Sequence, residues 1–223
     1  MNRRGGGSLT LGGKWENGLA LIKINLKLST LANLAFSVAF LFALPFIQGT
    51  SNLNAVSSAI CLENYVSIIG IILLVPIFAP EEEREIDEIV ASKPMSQFIP
   101  YAVRIILNLV IIFVLVGSFT LILKYKGCDF PLIKYMLGAF LSAVFLGSVG
   151  LCSSAISGST ILGYMASIGY LILNMATKNK YVGNFYILSM KNDSFDEKYW
   201  LLGGSIVLIL IAIVAKWLKR KLS

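Results

Sequence analysis

Six stretches of this chain are each long and apolar enough to cross a bilayer, and that pattern leaves few other folds open. A spanning helix needs about 20 mainly apolar residues, since a rise of about 1.5 Å per residue must cover a hydrocarbon core about 30 Å thick. The stretches fall at about residues 28–48, 57–80, 99–123, 131–154, 160–177 and 199–217. Unpaired backbone groups are too costly in hydrocarbon for an open strand, so each stretch is expected to be a helix. Composition agrees: 57% of the 223 residues are hydrophobic and 14% charged, against about 45–50% and about 25% in soluble domains. The expected fold is an all-α integral membrane protein, with a single six-span domain over residues 28–223 and a cytoplasmic arm over 1–27.

Orientation is read from Lys and Arg in short flanking segments. Arg3, Arg4, Lys14, Lys23 and Lys27 precede the first span, and Lys216, Lys219, Arg220 and Lys221 close the chain. Both termini are therefore expected in the cytoplasm, which requires an even number of spans. Lys124, Lys126, Lys134, Lys178, Lys180, Lys191 and Lys198 then fall outside. The first 30 residues hold a Gly/Ser stretch where a secretory signal would have an apolar region, so no cleaved signal is expected. The expected location is a bacterial plasma membrane. The net charge of +7 comes from the chain ends and the gaps between apolar runs, with no aromatic-interleaved basic face that would suit nucleic acid.

Before the first span, KWENGLALIKINLKL mixes apolar residues with lysines. It suits a helix lying in the headgroup interface, anchored by Trp15, Lys23 and Lys27, or else a cytoplasmic extension of span one; the amphipathic pattern favours the interfacial helix. Span four carries Gly138 and Ser142, then Ala139, Ala143 and Gly147, then Gly150, Ser154 and Gly158 at four-residue spacing, which predicts close helix packing. The segment 178–198 is expected outside, and its VGNFYILSM run suits equally a solvated loop or a re-entrant piece whose backbone the protein must bury.

Six of the twelve acidic residues lie between Glu81 and Glu88. Pro80 suits the first position of a helix, and carboxylates in a first turn favour the positive end of the helix dipole. The spacing predicts a cytoplasmic amphipathic helix over 81–94, with Ile86, Ile89 and Val90 as an apolar stripe, Arg84 within reach of Glu81 and Glu88, and Pro94 as the stop. Such a helix is either a solvated juxtamembrane element or a dock that fits a groove on a soluble partner. Carboxylates spread around a helix without His or Cys make a poor metal site.

The chain has no histidine, which removes Ser-His and Cys-His nucleophile pairs and HExxH zinc chemistry. GGGSLTLGGKW fails the phosphate-loop pattern at Ser8 and Trp15. No catalytic residue, cofactor site or metal site is expected in this chain. Glu63, Arg104 and Lys134 fall near span ends, where snorkelling accounts for them, so no membrane-embedded charge fit for ion-coupled transport is expected. Cys61, Cys128 and Cys152 lack metal-ligand spacing and are expected as free thiols, a Cys61–Cys128 bond being the lesser alternative.

The interfacial helix, the six spans and the stretch IIGIILLVPIFAPEEEREIDEIVASKPMSQFIPYAVRIILNLV together resemble the ABC-2 type membrane subunits of ATP-binding-cassette transporters, in the small form made apart from its ATPase. Within that stretch the resemblance lies in the Glu-rich helix start, Ser92 and Pro94, and Arg104 entering span three. It implies that 81–94 is a coupling helix seated in an ATPase groove, with Glu81, Glu82, Glu83, Arg84, Glu85, Ile86, Glu88, Ile89, Val90 and Lys93 making the contact. It further implies an identical or homologous second membrane subunit, ATP and magnesium held by the partner ATPase, a path between subunits lined by spans one, two and five, and a re-entrant element in 178–199. The implied activity is export of an amphipathic peptide, antibiotic or other hydrophobic compound. The competing reading is a membrane scaffold that moves nothing and docks a partner through its acidic helix.

Overall fold

The computed structural model describes residues 31–81, 98–177, 182–192 and 194–222. The expected interfacial helix and nearly all of the acidic helix lie outside these residues; Glu81 is the last one described before the gap. No strand occurs among the described residues, and six helices are long and apolar enough to cross a membrane: Leu31–Gln48, Ala55–Ala79, Tyr101–Tyr125, Leu132–Ser157, Thr160–Thr177 and Asp196–Lys219.

Span one is helix α1, Leu31–Gln48. It ends where Gly49 takes φ +65° and donates its N–H to the Pro45 carbonyl at 3.2 Å, a left-handed stop that costs glycine nothing. Span two changes winding three times. Asn54 caps α2, Ala55–Cys61, by accepting the Ser57 N–H at 2.8 Å. A π turn follows over Leu62–Val66, in which the Ser67 N–H reaches back five residues to the Leu62 carbonyl at 3.2 Å. Helix α3, Ile68–Leu74, then gives way to a 3₁₀ stretch over Val75–Glu81. Pro76 accounts for that last change, since it has no N–H to continue the α ladder.

Helix α4 is Phe98–Tyr125, α5 is Leu132–Ser157, α6 is Thr160–Thr177 and α7 is Asp196–Leu222. Helix α5 is the hub. It packs on α3, α4, α6 and α7, and 72% of its spanning window is buried, against 17% for α1, 22% for α6 and 17% for α7. Span two is equally internal, at 78%.

The small residues of span four explain the intimacy of this packing. A Cβ on Gly70 of α3 would lie 1.8 Å from the Ala143 carbonyl oxygen, and one on Gly147 would lie 2.4 Å from the Gly70 carbonyl oxygen. On the other side, a Cβ on Gly163 of α6 would lie 2.7 Å from the Gly150 carbonyl oxygen. Backbone therefore meets backbone on both faces of α5, as packing in lipid favours. Gly158 has a different job: it ends α5 at φ +78°, donating to the Ser154 carbonyl at 2.8 Å.

At one end of the bundle two loops are sewn together. The Asn52 N–H donates to the Lys126 carbonyl and the Asp129 N–H to the Leu53 carbonyl, both at 3.2 Å, while Lys126 Nζ donates to Thr50 Oγ1 at 2.8 Å. These bonds join the α1–α2 turn to the α4–α5 turn. The three cysteines are buried free thiols, and Cys128 Sγ donates to the Thr50 carbonyl at 3.5 Å.

Candidate functional site

Chemistry concentrates where the segment between α6 and α7 turns back into the protein. Tyr186, Ile187, Leu188, Ser189 and Met190 are all buried, and helices α5, α6 and α7 and the π turn supply their partners. Asn174 Oδ1 accepts the Ile187 N–H at 2.9 Å, while Asn174 Nδ2 is tied to the Tyr170 carbonyl at 2.9 Å. The Tyr170 hydroxyl donates to the Phe185 carbonyl, again at 2.9 Å. Within the VGNFYILSM run, Gly183, Asn184 and Phe185 are exposed and Tyr186 to Met190 are buried, with the Ile187 N–H and carbonyl and the Met190 N–H bonded to side chains of the bundle.

Lys198, in the first turn of α7, is completely buried, and so is Glu63 on the π turn. An ammonium has three donors. Those of Lys198 go to Glu63 Oε1 at 2.7 Å, Ser142 Oγ at 2.7 Å and the Ile187 carbonyl at 2.5 Å. Glu63 Oε1 accepts in addition the Met190 N–H at 2.9 Å, and Ser142 Oγ donates to the Ile187 carbonyl at 3.4 Å. One ion pair thus holds span two, span four, span six and the returned segment at a single point. The second carboxylate oxygen, Oε2, makes no hydrogen bond of good geometry, although the Lys191 backbone N–H faces the carboxylate. Ser189 Oγ is buried without a partner among the described residues. Tyr186 lies close enough to feel the same charge: burial raises its phenol above the ordinary value, and the Glu63 carboxylate adds to the rise.

These facts correct two expectations. Glu63 does not snorkel to an interface, and Lys198 does not lie in an outer loop, because α7 begins at Asp196 and carries Lys198 inside its first turn. A charge pair buried inside the helix bundle is therefore present. The other two residues assigned to span ends do sit near them. Arg104 Nη1 donates to the Ile77 carbonyl at 3.3 Å, and Lys134 Nζ lies 5.8 Å from the Phe195 ring centre.

Arg104 belongs to a second cluster, at the exit of span two. Phe78 meets Tyr101 edge-on at 5.4 Å between ring centres, and Lys216 Nζ sits 5.5 Å from the centre of the Phe78 ring. The 3₁₀ stretch that leads into the acidic segment is thereby fastened to α4 and α7. Every residue assigned to ATPase contact from Glu82 to Lys93, and the anchors Trp15, Lys23 and Lys27, lies outside the described residues.

Beside the buried pair an apolar cleft of about 830 Å³ opens between α6, α7 and the 3₁₀ turn Gly183–Phe185. Phe145, Tyr170, Phe185 and Trp200 form its walls, with Gly203 and Gly204 in the floor. Phe185 stacks on Phe145 at 5.8 Å and meets Trp200 edge-on at 6.3 Å. A Cβ on Gly204 would come within 2.8 Å of both Phe145 and Phe185, so glycine there lets the rings close on the helix.

Span two, assigned by resemblance to a path between subunits, is mostly interior to this protomer. Among the described residues no three His, Cys, Asp or Glu side chains come together as a metal site. Comparison with protein-family models, curated proteins and solved structures finds no match to this chain.

Proposed function

We propose that this chain is the membrane-spanning subunit of an ATP-driven exporter of the ABC-2 type, moving an amphipathic peptide, antibiotic or other hydrophobic compound. The observation that carries this reading is the returned segment between spans five and six, buried between helices of a six-span bundle. A buried return of the chain at this point is compatible with the re-entrant element that the sequence resemblance implies. Two further points support it. The acidic segment leaves span two from a stretch clasped to α4 and α7 by Arg104, Tyr101 and Lys216, so a push on it would reach three spans. The aromatic cleft offers uncharged walls of a size that suits a hydrophobic cargo.

Under this reading a separate ATPase binds the helix over 81–94 and the membrane subunit works with a second copy or a homologue. Co-expression with a candidate ATPase should give a stable complex whose ATP hydrolysis depends on this subunit. Changing Glu82, Glu83, Ile86 and Ile89 together to Ala should abolish complex formation while the chain still inserts. Retained binding and transport in that variant would refute the coupling role; a complex without transport would favour the scaffold.

The Glu63–Lys198 pair favours a second reading, an ion-coupled carrier, because a buried charge pair inside spans is the hardware such transport needs. The two separate cleanly. Transport by the exporter stops on ATP depletion and survives a protonophore, and the carrier behaves in the opposite way.

A further inference from the structure

We propose that the π turn Leu62–Val66 and the Glu63–Lys198 pair form a two-position latch that holds the returned segment closed and releases it by a change of helical register. The inference does not depend on the ATPase reading. It begins with the Ser67 N–H, which bonds the Leu62 carbonyl five residues back and so leaves the Glu63 carbonyl without its α-helical donor. The Ser67 hydroxyl fills that gap, donating to the Glu63 carbonyl. If the N–H took over that acceptor, the turn would become α-helical and Glu63 would swing by about one residue's rotation, roughly 100°. Its carboxylate would leave both Lys198 Nζ and the Met190 N–H.

The closed position is poorly balanced for a static anchor. A buried ion pair gains little over well-packed apolar side chains, and this one leaves Oε2 without a well-formed bond and Ser189 Oγ unpartnered. A network satisfied on one side only lies closer in energy to its alternative than a complete one. What the latch controls is adjacent in the chain. Phe185, one wall of the cleft, precedes the latched residues, and Trp200, another wall, follows Lys198 by two positions. Opening the latch therefore loosens both walls at once.

The test uses the full-length chain in proteoliposomes, with Cys61 and Cys128 changed to Ala and Ser189→Cys added. Ser189 Oγ makes no bond among the described residues, so this change breaks none. A small water-soluble maleimide is applied to both faces, and native Cys152, buried in α5, is the internal reference. With Glu63 and Lys198 intact, Cys at 189 should react at least about tenfold faster than Cys152, because segmental opening precedes global unfolding. Glu63→Gln, and separately Ser67→Ala, should raise that rate by a further factor of about ten while Cys152 stays slow. Equal rates at 189 and 152 in the protein with an intact pair would overturn the latch, since a fixed anchor opens only when the whole bundle does. Ser67→Ala without effect would overturn the register change, because the hydroxyl bonds the Glu63 carbonyl that the register change must reassign.

Discussion

At the scale of single residues, two contacts decide most. Gly70 meets the Ala143 carbonyl so closely that any Cβ must move backbone. Gly70→Ala is expected to lower stability by about 1–3 kcal/mol, the usual range for overpacking, whereas Gly203→Ala, with nothing within 4 Å of its Cβ, should be neutral. Thermal unfolding in detergent, followed by size-exclusion recovery, checks both. The second contact is the buried pair. Removing one partner strands a charge and should cost about 3–5 kcal/mol, while Glu63→Leu with Lys198→Met should cost clearly less than the two single changes summed. Sequence reasoning located the glycine and serine faces of span four, because small residues at four-residue spacing are a local signal. It missed the pair. Glu63 and Lys198 stand 135 positions apart, and each alone looks like an ordinary charge at the margin of a span.

At the scale of elements, the six spans were legible because an apolar run of about twenty residues has one economical fate in a bilayer. Where their ends are described, the spanning stretches begin and stop within about three residues of the expected limits, the usual uncertainty of helix ends. The one such shift with consequences is the start of span six at Asp196 instead of Tyr199. The internal changes of winding in span two were not legible. Pro76 signals an interruption, but no residue pattern marks a π turn. The returned segment was half legible: VGNFYILSM is apolar enough to bury, yet burial depended on Asn174 and Lys198 to satisfy its backbone. Asn54 makes a further prediction at this scale. As the cap of α2, its replacement by Ala should cost about 1 kcal/mol, measurable as a shift in chemical denaturation midpoint.

At the scale of the molecule, the chain is an interior pair of spans wrapped by four that show more of their surface. Phe36, Phe42 and Phe46 on α1, and Ile168 and Ile172 on α6, are exposed apolar side chains that water would not tolerate in such number. A lysine in place of Ile168 should cost about 2.5–3.5 kcal/mol of insertion if that face lies at mid-bilayer. A glycosylation-based insertion assay reads this directly, and unimpaired insertion would mean that α6 faces water or another chain.

The separation of Glu63 from Lys198 also bears on how the protein is made. A ribosome adding about 5–20 residues per second needs roughly 7–27 seconds to cover the 135 positions between them. The loops that join α1–α2 to α4–α5 can meet long before that, so the first four spans have their stitching available while the acid in span two still has no counter-charge. Chains truncated before residue 198 are therefore expected to be degraded faster than full-length chains, which a pulse-chase comparison of the two would read.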